Sequence, residues 1–77
     1  MLRAFEDAEP TAADDAFVSE AAYLVGDIEV GGRSSIWPFA CLRGHGTGVV
    51  VGTETNVQEF AMIHGATLGD AVTVGHG

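Results

Sequence analysis

Residues 34–46, SSIWPFACLRGHG, concentrate side chains that could do chemistry in a chain otherwise rich in valine, alanine and glycine. Arg43 carries a permanently charged, planar guanidinium group, which pairs well with carboxylates. His45 is the first of three histidines, and the others are His64 and His76. An imidazole can bind a metal ion or transfer a proton, but a single histidine in a strand is more often structural or solvated. The spacing of these residues therefore has to decide their roles.

Length and composition restrict the classes of protein that the chain can represent. Its 77 residues make one domain at most and bury little core, so stability needs a staple, a metal or partner subunits. The single cysteine, Cys41, excludes an internal disulfide. A formal net charge of −8 without any lysine argues against nucleic acid or an anionic membrane as a partner.

The charge and hydropathy pattern also predicts where the chain resides. Its apolar runs, such as 49–51 and 60–63, are too short to span a membrane. The acidic beginning of the chain lacks the apolar stretch of a secretory signal. We expect a cytoplasmic protein with an acidic N-terminal segment at 1–14 and one domain at 15–77.

Aliphatic residues recur with a period of six, which neither a helical period nor strict alternation explains. The series skips three residues around 46–48 and slips by one before Leu68. Its members are Val18, Leu24, Val30, Ile36, Leu42, Val51, Val57, Ile63, Leu68 and Val74. Four of them are followed directly by a glycine, at Gly31, Gly52, Gly69 and Gly75. We expect tight corners there, since glycine has no Cβ.

A helix is the competing interpretation for residues 11–23. Thr11 and Asp14 have the spacing of a capping box, and apolar residues follow at helical intervals. Beyond Val25 this interpretation fails because glycine and β-branched residues dominate.

Three hexapeptides form one triangular coil of about 18 residues, with short strands on three faces and the series residues pointing inward. The sequence therefore predicts an all-β fold, a parallel β-helix of about three and a half coils. Its inward columns should be Leu24, Leu42 and Ile63; Val30, Val51 and Leu68; and Ile36, Val57 and Val74.

Three segments, in this order, resemble the γ-class carbonic anhydrase-like family of hexapeptide-repeat proteins: VGDIEVGGRSSIWPFACLRG, VGTETNVQEFAMIH and LGDAVTVGHG. The resemblance runs from about Asp15 to the last residue. It implies a left-handed β-helix, against the usual right-handed crossover rule. It also implies a homotrimer with a metal ion, Zn²⁺ or else Fe²⁺ or Co²⁺, at each subunit interface. The activity that it implies is the reversible hydration of CO2 to bicarbonate.

The resemblance also assigns residues. It makes His64 and His76 metal ligands, while the family's third histidine ligand would lie beyond Gly77. The other matched positions, which we take as catalytic candidates, are Arg43, Gln58 and Glu59. We therefore expect a C-terminally truncated chain without the family's terminal helix, and with little or no activity of its own.

The spacing is consistent with these assignments. Arg43 and His64 each follow a residue of the same column, so they should lie on neighbouring coils. Glu59 and His76 each lie two residues after a residue of another column, at a different edge. One chain then cannot bring both histidines to one ion, whereas two chains of a cyclic trimer can. Arg43 should face this interface, with the partner subunit's Glu59 opposite it.

Several alternatives stay open for single residues. Gln58 either orients bound water or bicarbonate, or joins a polar ladder. His45, which stands where the family usually has aspartate, is expected to be a surface loop residue rather than a proton shuttle or substitute ligand. Trp37-Pro38 should form a packed corner, with ligand contact as the alternative, and Cys41 should be a small buried or interface group.

Two other functions compete with the main one. The first is an acyltransferase of the wider hexapeptide-repeat group, which needs a catalytic histidine beside a coenzyme A groove. The second is a non-catalytic trimer for assembly or metal storage. Coenzyme A binding would identify the first, and stoichiometric metal without CO2 hydration would identify the second.

Overall fold

The computed structural model describes residues 2–4 and 8–75, apart from the side chains of 45–47. These residues form ten β-strands and no helix. The strands are β1 (Leu2–Arg3), β2 (Thr11–Ala12), β3 (Phe17–Val18), β4 (Tyr23–Val30), β5 (Ser35–Ile36), β6 (Cys41–Val51), β7 (Asn56–Val57), β8 (Met62–His64), β9 (Thr67–Leu68) and β10 (Thr73–Val74).

Every strand pairing that the structure gives is parallel and joins equivalent strands of successive coils. One sheet has the order β1-β4-β6-β8, with β2 beside β4 and β9 beside β6. The second sheet has the order β10-β7-β5-β3. The chain is therefore a β-solenoid of about four turns. This confirms the predicted all-β parallel β-helix.

The three predicted inward columns are also confirmed. Leu24 pairs with Leu42 and Leu42 with Ile63, and the other two columns pair in the same way. The series residues that fill the centre are buried: Leu24, Val30, Ile36, Leu42, Val51, Val57 and Ile63. Since each residue stacks on its equivalent one coil away, the period of six sets the hydrophobic core directly.

Strands β4 and β6 do not stop at the first corner but bend around it. Gly26 pairs with Gly44, whereas the next pair is Ile28 with Val49, so the register shifts there. The shift accommodates the predicted insertion in β6. A Cβ on Gly44 would lie 2.2 Å from the Asp27 carbonyl oxygen, so this bend requires glycine at that position.

The glycines that follow series residues are needed for close stacking. A Cβ on Gly31 would lie 2.7 Å from the carbonyl carbon of Gly52, on the next coil. The residues with a left-handed backbone at this corner of successive coils are not glycines. They are Arg33, Glu54 and Ala71, with φ of 56°, 53° and 56°. The predicted tight corner is present, but the glycine is required by the neighbouring coil.

The helix considered for residues 11–23 is wrong. Strands β2 and β3 lie there, and the backbone N–H of Phe17 donates to the Ser34 carbonyl at 2.8 Å. Backbone hydrogen bonds of this segment go to the next coil, and so they are not available for a helical turn. Strands β1 and β2 fall within the predicted acidic segment and pair with β4. The domain boundary at residue 15 stays a prediction.

Within residues 2–4 and 8–75, the chain has no helix that is long and apolar enough to cross a membrane.

Candidate functional site

Arg43 and His64 occupy neighbouring positions on adjacent coils. They are direct partners in the pairing of β6 with β8, and both side chains are exposed. Each follows a buried residue of the inward column, Leu42 or Ile63, so alternation turns it outward. The predicted juxtaposition is confirmed, and it places a guanidinium and an imidazole on one outer face.

Gln58 and Glu59 lie on a different part of the coil. They follow β7, in the turn that leads from the four-stranded sheet into β8, and both are half-buried. Together with Trp37 and Asn56 they line a surface pocket of about 350 Å³. The structure thus brings Gln58 and Glu59 together, but on a separate element from Arg43 and His64.

A hydrogen-bonded group of side chains runs along this pocket. The Trp37 indole N–H donates to Ser35 Oγ at 3.1 Å, and the Ser35 hydroxyl donates to Asn56 Oδ1. Ser35 and Asn56 are partners in the pairing of β5 with β7. The Phe17 ring packs on Trp37 with ring centroids 5.3 Å apart. Trp37 is therefore held in the predicted corner and also lines the pocket.

Sequence analysis did not single out Ser35 and Asn56 as site residues. Both precede a series residue by one position, just as Trp37 and Gln58 follow the same residues by one. Alternation about a buried residue turns both flanking side chains to the same outer face. That pattern was the signal that could have identified Asn56 beside Gln58.

The predicted metal ligands cannot be compared as a pair. His64 is exposed on β8, whereas His76 lies outside the described residues. Among the side chains that the structure describes, those of residues 2–4, 8–44 and 48–75, no group of three or more His, Cys, Asp or Glu could hold a metal ion.

One ion pair within the chain joins Arg33 to Glu54, neither of which is a candidate site residue. Arg33 and Glu54 lie 3.5 Å apart, and both side chains are largely exposed. Within the described portion, Arg43 forms no ion pair with a carboxylate of its own chain. The predicted pairing of Arg43 with Glu59 between subunits stays a prediction, as does the role of His45, whose side chain is not described.

Two exposed aromatic rings stand beside Glu59. Phe39 and Phe60 stack with centroids 5.3 Å apart and an interplanar angle of 17°, and they are 61% and 64% exposed. Both have a left-handed backbone, with φ of 67° and 65°, which is unusual for a bulky residue. This corner presents apolar surface next to the carboxylate.

Most of the chain is similar to proteins named carbonic anhydrase and to a protein of the hexapeptide transferase family. It is 40% identical to gamma carbonic anhydrase 3, mitochondrial, of Arabidopsis thaliana, over 91% of this chain and 31% of the relative. It is 30% identical to a carbonic anhydrase of Geobacillus kaustophilus, over 99% of this chain and 44% of the relative. A crystal structure of a hexapeptide transferase family protein from Anaplasma phagocytophilum matches with a TM-score of 0.93 and 31% identity, over 97% of this chain and 46% of that one. No family model matches the chain.

The chain spans less than half the length of each of these three relatives. Within this chain, the longest stacking path holds four strands, in the order β1-β4-β6-β8.

Proposed function

Since the chain belongs to the γ-class carbonic anhydrase-like family of hexapeptide-repeat proteins, we propose that its protein catalyses the reversible hydration of CO2 to bicarbonate. The observation that carries the proposal is the adjacency of Arg43 and His64 on one outer face, with Gln58 and Glu59 at another corner. These two pairs of residues lie at different corners of one coil, and this arrangement suits an active site that forms between subunits.

The metal in this proposal is held by histidines. His64 fits such a group, since it is exposed on strand β8 and an imidazole nitrogen is a preferred ligand of Zn²⁺. His76 of the partner subunit is the proposed second ligand. Zn²⁺, Fe²⁺ and Co²⁺ remain the candidates, and any of them accepts imidazole. Held by these residues, such an ion would supply hydroxide for CO2 hydration at neutral pH, because it would lower the pKa of a bound water to about 7.

The proposed assembly is a homotrimer. A cyclic arrangement lets one corner of each coil pack on a different corner of its neighbour, so every chain contributes both halves of a site. The apolar rings of Phe39 and Phe60 supply surface for such a contact. Arg43 pairs with the partner subunit's Glu59 in this arrangement, which brings Gln58 near His64 of another chain.

Gln58 has a polar role in the proposed site. It lines the pocket with Asn56 and Glu59, and its amide can both donate and accept hydrogen bonds. Such a group can orient bicarbonate or an attacking water without carrying charge itself.

A second candidate function is acyl transfer from coenzyme A. The high structural similarity to a hexapeptide transferase family protein favours keeping it. The sequence relatives named carbonic anhydrase favour the first function. A non-catalytic trimer for assembly or metal storage is the third candidate, and it differs from the first only in lacking turnover.

The deciding experiment measures CO2 hydration by stopped-flow with a pH indicator in the presence of Zn²⁺ or Co²⁺. Because the chain spans less than half the length of these relatives, the assay compares two proteins. One is the 77-residue chain, and the other, called the continued form, is this chain extended by the corresponding segment of a relative. We expect turnover in the continued form, loss of turnover in its His64→Ala variant, and little activity in the chain itself. Bound metal without turnover would contradict the proposal, and saturable coenzyme A binding would favour acyl transfer.

A further inference from the structure

The hydrogen bonds along the pocket have a defined direction. An indole N–H can only donate, so Ser35 Oγ is the acceptor in its contact with Trp37. The hydroxyl proton of Ser35 then points to Asn56, whose facing atom is the carbonyl oxygen Oδ1. Trp37 therefore donates to Ser35, and Ser35 in turn donates to the amide oxygen of Asn56.

This direction determines what Asn56 presents to the pocket. Its Oδ1 is occupied by Ser35, and the amide is planar, so the NH2 group must face elsewhere. Among the described residues, Nδ2 makes no hydrogen bond. Since Asn56 lines the pocket beside Gln58, the group available there is an N–H donor.

We propose that Ser35 and Trp37 are positioning residues that hold the Asn56 amide with its NH2 group toward the pocket, where it donates to an oxygen of bicarbonate. The identity of the ligand rests on the proposed function, whereas the orientation of the amide does not. A fixed donor loses less conformational entropy on binding than a rotating one, so the chain of hydrogen bonds increases affinity without touching the ligand. The Glu59 carboxylate repels an anion in this pocket, and the partner subunit's Arg43 offsets that charge in the proposed trimer.

The alternative is a purely structural ladder that ties β5 to β7. The Phe17 ring on the other side of Trp37 would serve that role equally well. The two interpretations differ in one respect: only the positioning role predicts that loss of the Ser35 hydroxyl changes the order of the Asn56 amide and its affinity for a ligand while the fold stays intact.

The test uses the ¹⁵N-labelled chain and the variants Ser35→Ala, Ser35→Thr and Trp37→Phe. Thr73→Val is the matched control, because Thr73 flanks Asn56 from the opposite strand and its hydroxyl makes no hydrogen bond to Asn56 in the described structure. The backbone amide spectrum first establishes that each variant is folded. The first readout is the order parameter of the Asn56 side-chain amide, which reports fast motion of that group.

We expect a high order parameter in the parent chain and Thr73→Val, a clear decrease in Ser35→Ala and Trp37→Phe, and recovery in Ser35→Thr. An unchanged order parameter in folded Ser35→Ala would overturn the positioning role. Should Ser35→Ala fail to fold, Trp37→Phe decides the same point, because it keeps an aromatic ring that can pack on Phe17 and removes the indole N–H donor.

The second readout is a bicarbonate titration of the continued form with Zn²⁺, in which the partner subunit's Arg43 is present, followed by the Asn56 and Gln58 side-chain signals. We expect Ser35→Ala to weaken binding about fivefold to tenfold, which corresponds to one hydrogen bond, and Ser35→Thr to restore it. Equal affinity in the continued form with and without Ser35→Ala would overturn the role in binding. If bicarbonate shifts neither signal in the assembled continued form, bicarbonate is not the ligand of this pocket and the proposed function is contradicted, while the order parameter alone still decides whether Ser35 and Trp37 position the amide.

Discussion

Arg43 and His64 are direct partners on adjacent coils, and both side chains point outward from the same face. Glu59 lies on a different element, in the turn that follows β7. The two halves of the candidate site are thus separated within one chain by the shape of the coil. This separation is the physical basis for expecting that function requires assembly.

The first prediction concerns that assembly. Glu59→Gln should weaken the proposed trimer, because it removes the charge proposed to pair with the partner subunit's Arg43. Sedimentation velocity at high Zn²⁺, over a range of protein concentrations, measures the change. Glu54→Gln is the matched control, since Glu54 pairs within the chain with Arg33 and should leave the sedimentation profile unchanged. Identical profiles for both variants would count against the interface pair.

The second prediction concerns the stacking of coils. Gly31→Ala should lower the free energy of unfolding by about 1–3 kcal/mol or more, because its Cβ would lie 2.7 Å from the Gly52 backbone. Gly69→Ala should have little effect, since the nearest atom to its Cβ is Val72 Cγ2 at 3.8 Å. Urea unfolding of both variants tests this, and equal midpoints would show that close stacking does not explain the glycine.

The third prediction concerns a buried hydroxyl. Thr55 is fully buried, and its Oγ1 donates to the Gly69 carbonyl at 2.6 Å and accepts from the Val72 N–H at 3.3 Å. Thr55→Val keeps the shape but removes the hydrogen bonds to these partly buried backbone groups, which should cost about 1–3 kcal/mol. Thr67→Val, at an exposed position of β9, is the control. Denaturant unfolding that shows no difference between the two would refute this role for Thr55.

The fourth prediction concerns the core column. Leu42 is fully buried between Leu24 and Ile63, so Leu42→Ala should destabilise the coil by about 2–5 kcal/mol. Val50→Ala, on the outer face and 41% exposed, should cost far less. Thermal and urea unfolding compare them, and a similar loss in both variants would contradict the assignment of inward and outward faces.

Much of the fold could be predicted from the sequence because one physical rule generates it. Each series residue points inward and stacks on its equivalent, so the period of six fixes the columns from Leu24 to Val74. The reason for the glycine at Gly31 could not be predicted, since it depends on the distance to the next coil. The N-terminal strands β1 and β2 were also missed, because they lie in an acidic segment that lacks the period.

The candidate site was only partly predictable. Arg43 beside His64 follows from the register, which the series determines. The hydrogen bond from Ser35 to Asn56 depends on side-chain orientation across two strands, which composition and period do not specify. The assignments of His76 and His45 remain predictions, as does a cytoplasmic location.

The central claim is that subunits share a metal ion through His64. Sedimentation velocity of the chain during a Zn²⁺ titration tests it most directly. With few ligands from each chain the site should be weak, so the trimer fraction should rise only at high Zn²⁺ in the parent chain and in His45→Ala. His64→Ala should show no such rise. An equal response of the parent chain and His64→Ala, or Zn²⁺ bound by a chain that stays monomeric, would contradict the account.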